Sequence, residues 1–255
     1  MISDNIIYVI IAGIIQGLTE FLPISSSGHL IILKDIFNQD INTFDFEIML
    51  HLGTVFSIII YYRDYLLELF FTKNNSDNKY NIFLIIIGCI PISIIGFLCK
   101  DLIEFYFNDI TLLPYSFLIT SIVLFLTKYA NKEYKISLKI VLIVSLFQIL
   151  ALLPGVSRSG ITISILLYLG VNHIDATRFS FLMAIPLILG ASILSLFDTG
   201  FSIISYLSIV GILISCIFGW IAIYLSNFLI KHKRYWLFSI YCFSISTLIF
   251  ILNFI

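Results

Sequence analysis

A glutamate stands inside an apolar stretch near the start of the chain, and its neighbours are of types that handle phosphate. The stretch reads Gln16-Gly-Leu-Thr-Glu20-Phe-Leu-Pro23-Ile-Ser25-Ser26-Ser27-Gly28-His29. Gln16 and Glu20 are four residues apart, so on a helix they share a face. Pro23 stops that helix, three serines and Gly28 follow, and the pattern predicts a new helix from about His29. The free N–H groups at its start, with the hydroxyls of Ser25, Ser26 and Ser27, would form a cradle for an anion. A carboxylate in a membrane segment is costly and by default marks a functional site with a partner. The bland alternative for Glu20 is an interfacial carboxylate that reaches water.

The complementary charge comes from a second break, Pro154-Gly155-Val156-Ser157-Arg158-Ser159-Gly160-Ile161-Thr162. Arg158 is a lone guanidinium flanked by hydroxyls, and its planar fork suits phosphate oxygens. It could equally pair with Glu20, and the two roles are compatible if the pair opens for a ligand. Ser157 either caps the following helix or joins Ser159 and Thr162 in contacting that ligand. The two breaks together suit a phosphorylated ligand. The Glu20 and Gln16 oxygens could hold Mg²⁺ or Ca²⁺, and no Cys/His cluster suggests zinc. Two routes to hydrolysis fit. Ser26 could attack, with His29 three residues on moving protons, or a cation-activated water could attack while Ser26 only binds a phosphate oxygen. Ser26 sits in the break just before a helix N-terminus, where its hydroxyl can point into the cradle, which favours the first.

The elements that must position these residues are membrane helices. Sixty per cent of the 255 residues are hydrophobic, only 11% are charged, and the mean hydropathy is +1.08, where a soluble domain carries about 25% charged residues. A net charge of −1 gives no sign of a nucleic-acid partner. Apolar segments fall near 5–22, 44–62, 81–99, 112–130, 137–153, 176–196, 203–229 and 235–254. The first and fifth run into the two breaks, each followed by an apolar piece too short to cross. These predict two re-entrant hairpins, leaving six spans. Broken backbone at membrane depth survives only when buried in protein or lining a wet cavity. On this topology eleven of the fourteen Lys and Arg residues lie on one side, and only Lys34 and Lys100 on the other. The cation-poor side is then outside, with both termini. Ser25, Ser27 and Gly28 recur 132 residues later as Ser157, Ser159 and Gly160, and Gln16 as Gln148. The expected fold is therefore an all-α polytopic membrane protein, a single domain 1–255. It is an inverted repeat of about 1–130 and 131–255, each half a re-entrant hairpin plus three spans, with the site where the breaks meet.

QGLTEFLPISSSGHL and LPGVSRSGIT resemble the two signature motifs of the undecaprenyl-diphosphatase family, whose members are linked to bacitracin resistance. The similarity extends to the LHLGT segment (Leu50–Thr54) and the RFSFLMAIP segment (Arg178–Pro186). The family's first motif has Glu or Gln, three residues, then Glu, which fall here on Gln16 and Glu20. Its serine and histidine fall on Ser26 and His29, and the arginine of the second motif on Arg158. Gln at position 16 departs from a pair of metal-binding carboxylates. The resemblance implies hydrolysis of undecaprenyl diphosphate to undecaprenyl phosphate outside a bacterial inner membrane, in recycling of the cell-wall lipid carrier, and allows a homodimer. The competing reading is a polyprenyl-phosphate transporter or flippase, which would need Arg158 and the cradle but no catalytic carboxylate. His51 is expected either to line the cavity or to be a satisfied core histidine.

Overall fold

A computed structural model describes residues 2–38, 43–71, 76–106, 109–130, 134–199 and 205–254. They are helical nearly throughout, and the one β pairing among them is an isolated bridge between Tyr134 and Val171. Apolar sequence takes this form because a helix satisfies its backbone N–H and C=O groups within itself, which a lipid environment demands.

The first hairpin is α1 (Ile2–Phe21) and α2 (Ser26–Phe37), followed by α3 (Thr43–Tyr61), α4 (Arg63–Phe71), α5 (Ser76–Leu98), α6 (Lys100–Tyr106) and α7 (Leu113–Leu126). The second hairpin is α8 (Leu138–Gln148), extended by a 3₁₀ turn at Ile149–Leu152, and α9 (Arg158–Tyr168). Then come α10 (His173–Thr199), α11 (Tyr206–Lys231) and α12 (Phe238–Phe254). Among the described residues five helices are long and apolar enough to cross a membrane: those at Asp77–Leu98, Ile110–Tyr129, His173–Phe197, Tyr206–Lys231 and Tyr235–Asn253. Helices α3 and α4 make a sixth if the pair, bent by 77°, counts as one span. The chain is thus an all-α polytopic membrane protein, with five such helices among the described residues, or six with the bent pair, against the six expected. Two details differ from the sequence reading. Helices α4 and α6, too short to cross, occupy stretches expected as loops. The helix after the first break starts at Ser26, three residues before His29, because Ser25 already caps it.

The helices pack in matched pairs. Helix α1 lies against α11 as α8 lies against α5, and α3 lies against α11 as α10 lies against α5. The two self-matching pairs, α3 with α10 and α7 with α12, complete the pattern. This is the pairing of a twofold-related repeat, in which the second full span of each half, α5 or α11, supports the hairpin of the other.

Small residues make the α1–α3–α11 contact close. A Cβ on Gly17 would stand 2.6 Å from the Ser215 carbonyl oxygen, and one on Gly53 would stand 2.0 Å from Ser215 Oγ. Backbones approach this way at membrane-helix interfaces rich in small residues. Gly53 thereby brings the turn of α3 that carries His51 in beside the first hairpin.

Candidate active site

The hairpin tips are built alike. Ser25 and Ser157 cap α2 and α9, Ser25 Oγ accepting from Gly28 N at 3.3 Å and Ser157 Oγ from Gly160 N at 3.1 Å. Each capping hydroxyl also lies 3.3 Å from the serine two residues on, Ser27 or Ser159. The tips are tied together directly. Gly155 N donates to Ser27 Oγ at 3.4 Å, and Ser159 Oγ donates to the Glu20 carbonyl at 3.0 Å. The turns differ in where they leave ordinary backbone space. The second uses Gly155 at φ 89°, where glycine carries no penalty. The first uses Ser25 at φ 68°, a conformation that costs a non-glycine residue on the order of 1 kcal/mol or more.

Glu20 lies at the junction and is 7% exposed. Its Oε1 accepts from Arg158 Nη2 at 2.6 Å. Its Oε2 accepts from Ser26 Oγ at 2.7 Å and from Gln16 Nε2 at 3.2 Å. His51 Nε2 stands 3.2 Å from the same oxygen, while His51 Nδ1 faces the Glu47 carbonyl oxygen at 2.7 Å. Both ring nitrogens thus face oxygen, so making both contacts requires a proton on each. Arg158 Nη1 donates to the Ser180 carbonyl at 3.1 Å. The guanidinium has donors beyond these two bonds, and it borders the cavity described next.

A cavity of about 390 Å³ begins at Glu20, Ser25, Ser26, Ser27, His51, Ser157 and Arg158. It continues between α5 and α10 past Ile92, Gly96, Leu187 and Gly190, and reaches Lys100 and Ile103 at the cation-poor end of the bundle. One end is therefore ionic and hydroxyl-rich, and the rest is largely apolar.

Of the residues singled out from sequence, the structure gathers Gln16, Glu20, Ser26 and Arg158 around one carboxylate, with Ser25, Ser27 and Ser157 on the cavity wall. Others face elsewhere. His29 hydrogen-bonds the Ser25 carbonyl at 2.6 Å through Nδ1 and the Tyr241 hydroxyl at 2.7 Å through Nε2. It stacks on Tyr241 and meets Phe117 edge-on, and so does not face Ser26's carboxylate partner. Ser159 and Thr162 turn to backbone, Thr162 Oγ1 donating to the Arg158 carbonyl at 2.8 Å. Gly28 packs where a Cβ would stand 2.7 Å from the Phe117 ring. The sequence reading passed over Glu47, which is 4% exposed and lines the cavity. Its spacing of four from His51 is the signal that places both on one face of α3.

The donors fit an oxygen-seeking divalent cation in type. Gln16 Oε1 and Glu47 Oε2 are buried without a hydrogen-bond partner. Turning the Gln16 amide end for end would aim its oxygen at Glu20, toward a shared cation. No three His, Cys, Asp or Glu side chains converge on a point among the described residues. Much of the shell would then come from substrate phosphate and water, as is usual for Mg²⁺.

Two re-entrant hairpins meeting tip to tip, with a serine–carboxylate–guanidinium set at their junction, define a polytopic membrane protein with a buried ionic site. The chain belongs to the family described as bacitracin resistance protein BacA, which matches residues 9–248. It is 38% identical over 262 residues to an undecaprenyl-diphosphatase of Pelagibacter ubique, covering 98% of each chain. It is 39% identical over 246 residues to one of Thermosipho africanus, covering 94% of this chain and 98% of the relative. A third, of Halothermothrix orenii, is 35% identical over 97% of this chain and 98% of its own.

Proposed function

We propose that this chain hydrolyses undecaprenyl diphosphate to undecaprenyl phosphate and inorganic phosphate. The observation that carries the reading is the hydrogen bond from Ser26 Oγ to Glu20 Oε2 at 2.7 Å, beside Arg158 and at the polar end of a largely apolar cavity. Ser26 attacks the terminal phosphorus, and the bond from that phosphorus to the bridging oxygen breaks. Glu20 takes the serine proton and passes it to the departing lipid phosphate. Water then attacks the phosphoserine, giving a proton to Glu20, which returns it to Ser26 Oγ as inorganic phosphate leaves. Arg158 steadies the charge on the transferred group, where phosphoryl transfer most needs help. Glu20 replaces His29 as the proton acceptor of the serine route, because it, and not His29, touches the hydroxyl.

Gln16 and Glu20 would hold Mg²⁺ or Ca²⁺, with Glu47 Oε2 as a further buried oxygen nearby on the cavity wall. When bound, the cation would draw charge from the phosphate oxygens.

The charge asymmetry and the cavity's approach to the cation-poor end support an outward-facing site in a bacterial inner membrane, with both termini outside. Two copies pairing in the membrane belong to the same reading. Phosphate release from undecaprenyl diphosphate by the purified chain, with Mg²⁺ or Ca²⁺, tests the activity. Lipid binding without phosphate release would overturn it in favour of carriage of the lipid phosphate. Reaction of Ser76→Cys, in a background lacking native cysteines, with an impermeant thiol reagent added outside intact cells would reverse the orientation.

A further inference from the structure

A lipid diphosphate cannot thread its long tail through the bundle; it must lie sideways, with head inside and tail in the bilayer. The cavity has one flank suited to that. Between α5 and α10 its wall includes Gly96, Phe97, Gly190, Ala191 and Leu194. Gly190 and Ala191 are exposed, as are Phe97 and Leu194. A Cβ added to Gly190 would meet no atom within 4 Å, and one on Gly96 would meet only Leu152, at 3.4 Å. Elsewhere in the bundle the measured glycines are pressed against neighbours, as at Gly17 and Gly53. These two are not small for the sake of helix packing. They leave a slot open from the ionic end of the cavity to the surface that faces lipid.

We propose that the slot between Gly96 of α5 and Gly190 of α10 is the lateral portal through which the isoprenoid next to the diphosphate leaves the site. The inference rests on the phosphatase reading for the identity of the head group, but the slot itself is a binding surface for prenyl chain. Its apolar walls (Ile92, Leu187 and Ile188) are continuous with the hydroxyls around Ser26 within one cavity. Burying the first isoprene units removes apolar surface from water at the head-group level, while the rest of the tail stays in lipid. A side chain at position 190 would project into the space the tail needs without displacing protein.

The test uses Gly190→Cys in the full chain lacking its native cysteines, reconstituted in phospholipid nanodiscs, so that the protein folds before the slot is filled. Alkylation with a bulky apolar maleimide should raise KM for undecaprenyl diphosphate about tenfold, the equivalent of losing burial of roughly two methylene groups. KM for isopentenyl diphosphate, which carries a single isoprene unit in place of eleven, should move less than about twofold. Independently of turnover, undecaprenyl phosphate should slow the alkylation, and inorganic diphosphate should not. An unchanged KM after complete alkylation, an equal loss on both substrates, or no protection by the lipid phosphate would each overturn the portal. Protection in a protein that hydrolyses neither diphosphate would sustain the portal and sink the phosphatase reading instead.

Discussion

The two hairpins share a backbone device and divide the chemistry. Each has a serine cap, a second serine two residues on and a helix of 11 or 12 residues leading away. In the second, Ser159 and Thr162 bond to backbone, and only Arg158 brings charge to the site. In the first, the tip's serines border the cavity and Ser26 bonds a carboxylate. Position 152, the counterpart of Glu20 at the same offset, is Leu152. Repetition thus supplied a scaffold, two turns that brace each other, and the reactive groups settled on one copy with a single guanidinium on the other. The strained backbone follows the chemistry: the first turn puts its left-handed residue at the capping serine itself, Ser25, and the second puts it two residues before its cap, at Gly155.

That asymmetry can be broken most severely at the first tip. Ser26→Ala or Glu20→Gln should lower turnover by about a thousandfold or more, the scale of losing a nucleophile or its base. Chelation should abolish phosphate release from the parent. Single-turnover phosphate release, with thermal unfolding to confirm a folded protein, measures all three. A Ser26→Ala protein keeping a tenth of parental turnover would shift the assignment to direct attack by water.

At the second tip, Arg158→Lys should cost about a hundredfold in kcat/KM, because a point charge cannot reproduce the fork that spans Glu20 and Ser180. Arg158→Ala adds a structural penalty of about 3–5 kcal/mol, since it leaves Glu20 buried without its guanidinium. Denaturation of the two variants separates the effects. Unchanged turnover in Arg158→Ala would place phosphate recognition elsewhere.

How much of this was legible beforehand differs between the tips and their surroundings. Apolar length set the spans, and Pro23, Pro154 and the Ser/Gly runs marked both breaks. Those signals are local, as capping and chain breaking are. The partners of Glu20 and Arg158 are only partly local. Gln16 could be read from helical spacing, but His51 reaches Glu20 from α3 and Ser180 reaches Arg158 from α10, through contacts that spacing within one helix does not encode. His29 shows the reverse failure. Three residues from Ser26, it should share that face of α2, yet Tyr241, contributed by α12 from 212 residues away, holds its ring elsewhere.

Smaller effects sharpen the contrast. His51→Leu should lower kcat about tenfold with KM little changed, through loss of one charge-assisted contact to Glu20, and His51→Gln should recover part of it. Steady-state kinetics on both variants would show whether His51 orients the base or only fills space. Ser157→Ala should cost about 1 kcal/mol of stability as a lost helix cap, with turnover within a few-fold of parental; a larger kinetic loss would mean that Ser157 touches the phosphates. Gln16→Glu should retain activity within about threefold, a difference of less than 1 kcal/mol.

The close seat of α1 against α11 has a consequence for how the protein is made. The first hairpin is synthesised first, yet the groove that receives Gly17 is formed by Ser215 and Gly219, nearly two hundred residues later. Until α11 has been inserted, α1, which carries Glu20 to the hairpin tip, lacks the helix it packs against most extensively, in a solvent that cannot satisfy loose backbone. Contacts so distant in sequence also form slowly. A chain that stopped before residue 206 would therefore hold Glu20, Ser26 and Arg158 and still lack the helix on which α1 docks.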